Sequence, residues 1–248
     1  DRLSILSIAG WNKPDWRDAV LMKEIIKRMA KLFWGLFLYS LGIVMTINAN
    51  LGLAPWEIFH QGLSIKTGIT MGQASIYVGM VLVVLDSVLG ERLGWGTLFN
   101  MLFIGLFMDI LMLNHLVPVF QSVILRFAMM LLGMFVIGIA SYFYISVGLG
   151  SGPRDGLMVA LTKKTGKSVR FIRNSIEISV LAAGYILGGS VGIGTAIMAI
   201  TAGYFIQFSF KLFKYNLKET KHRFIDEDLK YLYDRVRSKK EDKKAEEQ

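Results

Sequence analysis

The chain has 248 residues, of which 53% are hydrophobic and only 19% are charged, and it carries a formal net charge of +9. Soluble domains contain about 25% charged residues, so this composition argues against a soluble fold and favours a membrane protein. Cysteine is absent, which excludes disulfides and thiolate metal sites. The three histidines, His60, His115 and His222, are far apart in sequence, so we predict no metal site.

Long apolar runs predict six transmembrane helices joined by short connections. An amino-terminal extension and interfacial approach, residues 1–27, precedes them, and a charged tail, residues 214–248, follows them. The predicted spans are Lys31–Asn48, Gln73–Gly90, Leu98–Leu116, Ile124–Val147, Val169–Leu187 and Thr195–Phe213.

Two shorter segments, Pro55–Lys66 and Pro153–Lys164, follow the first and fourth spans. Each begins with proline, carries an acid two residues later, and ends at Thr-Gly, which is the pattern of a short, well-bounded helix. Twelve helical residues cover about 18 Å, roughly half of a bilayer core. We therefore predict two half-helices, which either re-enter the membrane or lie on its surface.

The two halves of the membrane region repeat each other. Arg28–Met112 and Arg126–Phe210 align without gaps at an offset of 98, with 19 identities in 85 positions, including Leu-Gly-x-x-Pro, Lys-Thr-Gly and Gly-x-Gly-Thr motifs. The repeats comprise residues 28–121 and 122–213. Three spans per copy would insert the second copy upside down. The predicted fold is an all-α membrane protein of two inverted three-helix repeats, each with a half-helix after its first span; crossing half-helices would instead make the repeats parallel.

Basic residues give the orientation. Lysine and arginine are concentrated before the first span, in the connection after the fourth span, and in the tail. Because cytoplasmic connections are enriched in these residues, we expect both termini in the cytoplasm. The net positive charge indicates contact with membrane lipid rather than nucleic acid.

Polar residues within or beside the spans are candidates for a site, because such residues are expensive in a membrane. Asp109 lies within the third span, where a functional role and a pairing role are equal alternatives. Arg173 and Glu177 are one helical turn apart, which favours a structural ion pair. Asp86, near the end of the second span, is expected at the membrane interface.

The starts of the half-helices, Pro55 and Pro153, form a second group of candidates. The first turn of a helix has free backbone N–H groups that suit an anion. The acids Glu57 and Asp155 leave two alternatives open, since they could cap those N–H groups or pair with the cationic part of a zwitterionic solute.

Two motifs, Leu51-Gly52-Leu53-Ala54-Pro55-Trp56-Glu57 and Leu149-Gly150-Ser151-Gly152-Pro153-Arg154-Asp155-Gly156, resemble the YczE/YyaS/YitT family of bacterial multi-pass membrane proteins. The resemblance covers about residues 28–210 and is closest to the YczE-like branch. It implies a location in the bacterial cytoplasmic membrane but no specific chemistry. The positions that match the family pattern are Glu57, His60, Asn100, Arg154, Asp155, Arg173 and Glu177.

The leading functional prediction is a transporter in the inner membrane, with export as one option, for a small solute or metabolite that binds between the two inverted repeats. The alternatives are a regulatory or scaffold protein that recruits a cytoplasmic partner through its charged tail, and a channel. The sequence has no Walker A, Rossmann or Gly-x-Ser-x-Gly motif, so we predict neither an enzyme nor a cofactor. The spacing Gly184-x-x-x-Gly188 suits helix packing within the chain or in a homo-oligomer.

Overall fold

A computed structural model describes residues 16–215, 223–228, 230 and 233, and the regular structure in these ranges is α-helical. The predicted extension, residues 1–27, and the predicted tail, residues 214–248, therefore lie partly outside the described residues. The helices are α1 (Trp16–Asn48), α2 (Pro55–Thr67), α3 (Met71–Val88), α4 (Trp95–Leu113), α5 (Val123–Ile145), α6 (Pro153–Thr165), α7 (Val169–Ile186) and α8 (Ile193–Leu212).

Five helices are long and apolar enough to cross a membrane: α1 from Lys23, α3, α4, α5 and α8. They coincide with five of the six predicted spans. The helix at the remaining predicted span, α7, is formed, but it contains Arg170, Arg173 and Glu177 and is more polar than the other five. Large apolar side chains are exposed on the outer surface of the helices, as expected for contact with lipid; they include Val88, Ile124, Ile178, Ile186 and Ile200. The protein is a multi-pass α-helical membrane protein.

The predicted half-helices are α2 and α6, and their ends follow the sequence. Proline occupies the first turn of each helix, where no backbone N–H is needed. Gly68 and Gly166 end the helices with φ angles of 77° and 67°, in the left-handed region that glycine adopts without strain. Helix α3 then begins at once with a capping box between Thr70 and Gln73.

The centre of the fold is the pair α1 and α5, which pack in antiparallel directions. Gly35 of α1 lies against Tyr144 near the end of α5, whereas Gly42 lies against Gly133 nearer its start. At the other end of the pair, the guanidinium of Arg126 donates a hydrogen bond to the carbonyl of Ala49, with an Nε–O distance of 2.7 Å. Glycines along both helices allow the close approach, and the buried core follows this seam; it includes Leu32, Leu36, Val44, Met108 and Met130.

Contacts between the two halves are reciprocal. The N–H of Gly96 donates to the carbonyl of Leu149, and the N–H of Gly194, 98 residues later, donates to the carbonyl of Leu51, each at 2.7 Å. The short helices exchange partners in the same way, since α2 packs on α7 and α6 packs on α3. Each half of the chain therefore completes the other.

The described part of the tail contacts the connection between α3 and α4. The guanidinium of Arg92 donates hydrogen bonds to the carboxylates of Asp226, at 2.6 Å, and Glu227, at 2.8 Å. The N–H of Ile225 donates to the carbonyl of Leu93 at 2.9 Å. This segment is thus fixed to the helical body through the backbone as well as through charged side chains.

Candidate functional site

A cavity of about 570 Å³ lies between the two halves of the chain. Both half-helices contribute to it, α2 through Trp56 and His60 and α6 through the turn that starts at Pro153. Six of the eight predicted polar residues line this one cavity: His60, Asn100, Arg154, Asp155, Arg173 and Glu177. The structure thus brings together residues that are up to 117 positions apart in sequence.

Glu57 lies directly behind the cavity wall and is paired across the repeat. Its carboxylate is only 6% exposed and accepts from the guanidinium of Arg154, with an Nη1–Oε1 distance of 3.3 Å. The same guanidinium lies 4.8 Å from the centroid of the Trp56 ring, within the range of a cation–π contact. The N-cap residues Ala54 and Gly152 provide no side-chain cap. Among the described residues, no backbone N–H at the helix starts donates to Glu57 or Asp155, so the capping alternative is not realised.

A second ion pair lies on α7. The Nε of Arg173 is 3.0 Å from a carboxylate oxygen of Glu177, as the helical spacing predicted. Asp155 is exposed to the cavity and is close enough to Arg173 and Arg154 for their charges to interact. Within the described residues, however, its carboxylate accepts no hydrogen bond and belongs to no ion pair. Asp155 is therefore the charged group of the cavity that lacks a direct partner.

Two buried polar side chains of the cavity wall also lack partners among the described residues. His60 is 1% exposed, and neither ring nitrogen makes a hydrogen bond. Tyr144 is 4% exposed, and its hydroxyl makes none. Buried polar groups are nearly always hydrogen-bonded, so these atoms mark positions at which a bound polar molecule would be stabilised.

Asp109 is the predicted residue that the structure places elsewhere. Its carboxylate accepts from the hydroxyl of Thr70 and from the backbone N–H of Gly72, the latter at 2.9 Å. These contacts tie α4 to the first turn of α3, away from the cavity wall. Across the described ranges, no three His, Cys, Asp or Glu side chains lie close enough together to hold a metal ion.

The comparisons with known proteins identify the family. A family of unknown function, DUF6198, matches residues 26–211. The chain belongs to this family. It is 36% identical over 193 residues to the uncharacterized membrane protein YczE of Bacillus subtilis, covering 76% of this chain and 88% of YczE. An uncharacterized protein of Haemophilus influenzae is 32% identical over 196 residues, covering 79% and 89% of the two chains. No solved structure matches.

Asp86, which was expected at the membrane interface, lies near the end of α3 and is buried inside the protein. This carboxyl is 1% exposed, and a Cβ placed on Gly156 of α6 would lie 2.2 Å from its Oδ2. The repeat explains the contact, because the equivalent of Asp86 is Gly184, which packs closely against α2 at Phe59. At the α3–α6 contact the larger residue, Asp86, is on the long helix and the glycine is on the half-helix, whereas at the α7–α2 contact the glycine is on the long helix. Comparison of the two repeats in the sequence could have indicated this contact.

Sequence reasoning also missed several uncharged residues of the cavity. Tyr39, Ser75 and Tyr144 line it beside the charged groups. Of these three, only Ser75 could have been identified from the repeat, because its equivalent position in the other copy is Arg173, a predicted site residue. The two tyrosines lie in long apolar runs, where nothing local distinguishes a cavity-lining side chain from a core side chain.

Proposed function

We propose that the protein is a non-enzymatic transporter of a small solute, built from two inverted repeats whose shared cavity is the binding site. The packing of α1 against α5 supports the inversion. These two helices occupy equivalent places in the repeats, and they run in opposite directions. The reciprocal hydrogen bonds of Gly96 and Gly194 relate the two copies by the same exchange.

In this proposal α7 is the sixth transmembrane helix, and the charged residues that it contains are compatible with a membrane span. Arg173 and Glu177 line the cavity and pair with each other, and Arg170 lies in the first turn of the helix, near its end. Charged residues within membrane helices are usually turned to the protein interior or to water in this way. The half-helices α2 and α6 do not cross, so both termini lie on one side. The basic connection after α6 favours the cytoplasm for that side in a bacterial cytoplasmic membrane.

The observation that carries the transport proposal is the position of the cavity. It lies where the two copies meet, and its wall contains residues of both half-helices, one ion pair within α7 and Arg154, which is paired with Glu57 of the other repeat. In transporters built from inverted repeats, the substrate binds at this place, and the repeats rock against each other to open it to either side. The ion pairs Glu57–Arg154 and Arg173–Glu177 fix the charged groups without filling the cavity.

Accessibility of the cavity from both faces tests the proposal. Ile176 lines the cavity and is half-buried, and the chain has no native cysteine. We expect Ile176→Cys to react with a membrane-impermeant thiol reagent in right-side-out and also in inside-out vesicles, because a transporter samples both open states. Ile178→Cys, on the outer apolar surface, is the control and should react from neither side.

The alternatives give different results. Labelling of Ile176→Cys from one face only would contradict alternating access and favour the scaffold alternative, in which deletion of the tail alone abolishes function. Labelling from both faces combined with non-saturating solute flux would indicate a channel. Either result would overturn the transporter proposal.

A further inference from the structure

We propose that the solute is a small organic cation, with an ammonium group that carries N–H donors and with an apolar body. This inference rests on the proposed transport function and specifies the chemistry of the same cavity. Three properties of the wall support a cationic solute: its charge, its unpartnered polar atoms and its apolar surface.

The charged side chains that line the cavity, counted together with Glu57 behind it, leave one negative charge uncompensated. Arg154 is paired with Glu57, and Arg173 is paired with Glu177. Asp155 remains without a direct partner, although it is exposed to the cavity. An ammonium group would supply the missing positive charge, and hydrogen bonds between charged partners are about twice as strong as neutral ones.

The unpartnered polar atoms belong to the same cavity wall as this carboxylate. Tyr144 and His60 line the cavity together with Asp155, and neither the Tyr144 hydroxyl nor the His60 ring nitrogens have a hydrogen-bond partner among the described residues. A neutral imidazole nitrogen and a phenolic oxygen both accept hydrogen bonds. A primary ammonium has three N–H donors, which match the carboxylate, the hydroxyl and the imidazole. A quaternary ammonium has none and would leave these buried atoms unpaired, which is unfavourable.

The rest of the wall suits an apolar body. Aliphatic and thioether side chains surround the charged groups; they include Ile43, Leu82, Met101, Ile104 and Ile206. The volume of about 570 Å³ is within the range of cavities that enclose small organic ligands. An inorganic cation would leave this apolar surface without contacts.

The test measures the thermal unfolding of the full chain in detergent with matched probes. Phenethylamine has the proposed chemistry, 2-phenylethanol lacks the charge, 3-phenylpropionate reverses it, and trimethyl-phenethylammonium keeps the charge but lacks N–H donors. A ligand that binds the native state raises the unfolding temperature in a saturable way. We expect a rise of about 5 °C or more with phenethylamine at saturation and little change with the other three.

Two substitutions connect the effect to the site. Asp155→Asn should weaken the response to phenethylamine about tenfold or more, because a charged hydrogen bond is lost. Glu91→Gln removes an acid that is paired with Lys163 outside the cavity, and it should leave the response unchanged. Tyr144→Phe should weaken the response as well. If Asp155→Asn does not fold, Tyr144→Phe is the variant that tests whether phenethylamine binds in the cavity.

Failure of this inference is distinguishable from failure of the transport proposal. Stabilisation by 3-phenylpropionate or by the quaternary probe, or no stabilisation by the amine, would overturn the cationic solute. If Ile176→Cys is still labelled from both faces, the transporter proposal stands and only the solute class is wrong. If that labelling also fails, both proposals fall.

Discussion

Removal of the guanidinium at position 154 should destabilise the protein more than the loss of any surface ion pair. Arg154→Gln leaves the Glu57 carboxylate, which is 6% exposed, without its counter-charge. Breaking a fully buried pair in this way costs about 3–5 kcal/mol. The Arg154 side chain is 32% exposed to the cavity, so water weakens the interaction, and we expect a loss of about 2–3 kcal/mol.

The assay is a double-mutant cycle of thermal unfolding in one detergent. For a chain of this size, a loss of about 2–3 kcal/mol lowers the unfolding temperature by about 4–12 °C. Glu57→Gln should cost less, because the remaining guanidinium reaches the cavity and keeps its contact with Trp56. The double variant should be more stable than the sum of the single losses predicts, by about 1–2 kcal/mol.

The matched control is Arg92→Gln, which breaks an exposed pair with Asp226 and Glu227. Exposed pairs contribute about 0–1 kcal/mol, so this change should alter the unfolding temperature little. Equal effects of Arg92→Gln and Arg154→Gln, or strictly additive losses at positions 57 and 154, would refute the reasoning that the cavity pair is shielded and coupled.

Three further predictions concern the helix contacts and the tail. Gly42→Ala places a Cβ 2.7 Å from atoms of α5 and should lower stability by about 1–3 kcal/mol; Gly203→Ala, with open space around it, is the control and should not destabilise. Asp109→Ala should destabilise by about 1–3 kcal/mol through its lost hydrogen bonds, yet leave binding in the cavity unchanged. Hydrogen bonds from Arg92 hold the pKa of Asp226 below its usual value, so amide protection in 223–228 should persist at the ordinary aspartate pKa of about 3.9 and be lost only at lower pH.

The helices were largely predictable because their signals are local. Proline at each start and Thr-Gly at each end define α2 and α6 from a few adjacent residues. Long apolar runs with few charges similarly define five spans. Helix α7 is the exception, because Arg173 and Glu177 make it more polar than the other long helices. Both side chains line the cavity, and this position, which the sequence does not reveal, explains why the helix carries charges.

The site was predictable in its charged residues and not in their pairing. Position relative to the half-helix starts identified Arg154 and Asp155, but nothing in the sequence pairs Arg154 with Glu57, 97 residues away, rather than with Asp155 beside it. Asp109 shows the opposite limit. An acid in an apolar run implies an unfavourable free energy of burial in the membrane. The hydrogen bonds from Thr70 and Gly72 that offset this cost come from the start of another helix, α3, and cannot be read from the sequence around Asp109.

Opposite orientation of the two repeats is the central claim, and one labelling experiment tests it most directly. Thr67 and Thr165 are equivalent positions at the ends of α2 and α6. Both are exposed, and each hydroxyl donates to the carbonyl four residues earlier. In intact cells, an impermeant thiol reagent should label Thr67→Cys and leave Thr165→Cys unlabelled until the membrane is opened. Labelling of both in intact cells would place the two half-helix ends on the same face and contradict the inverted repeat.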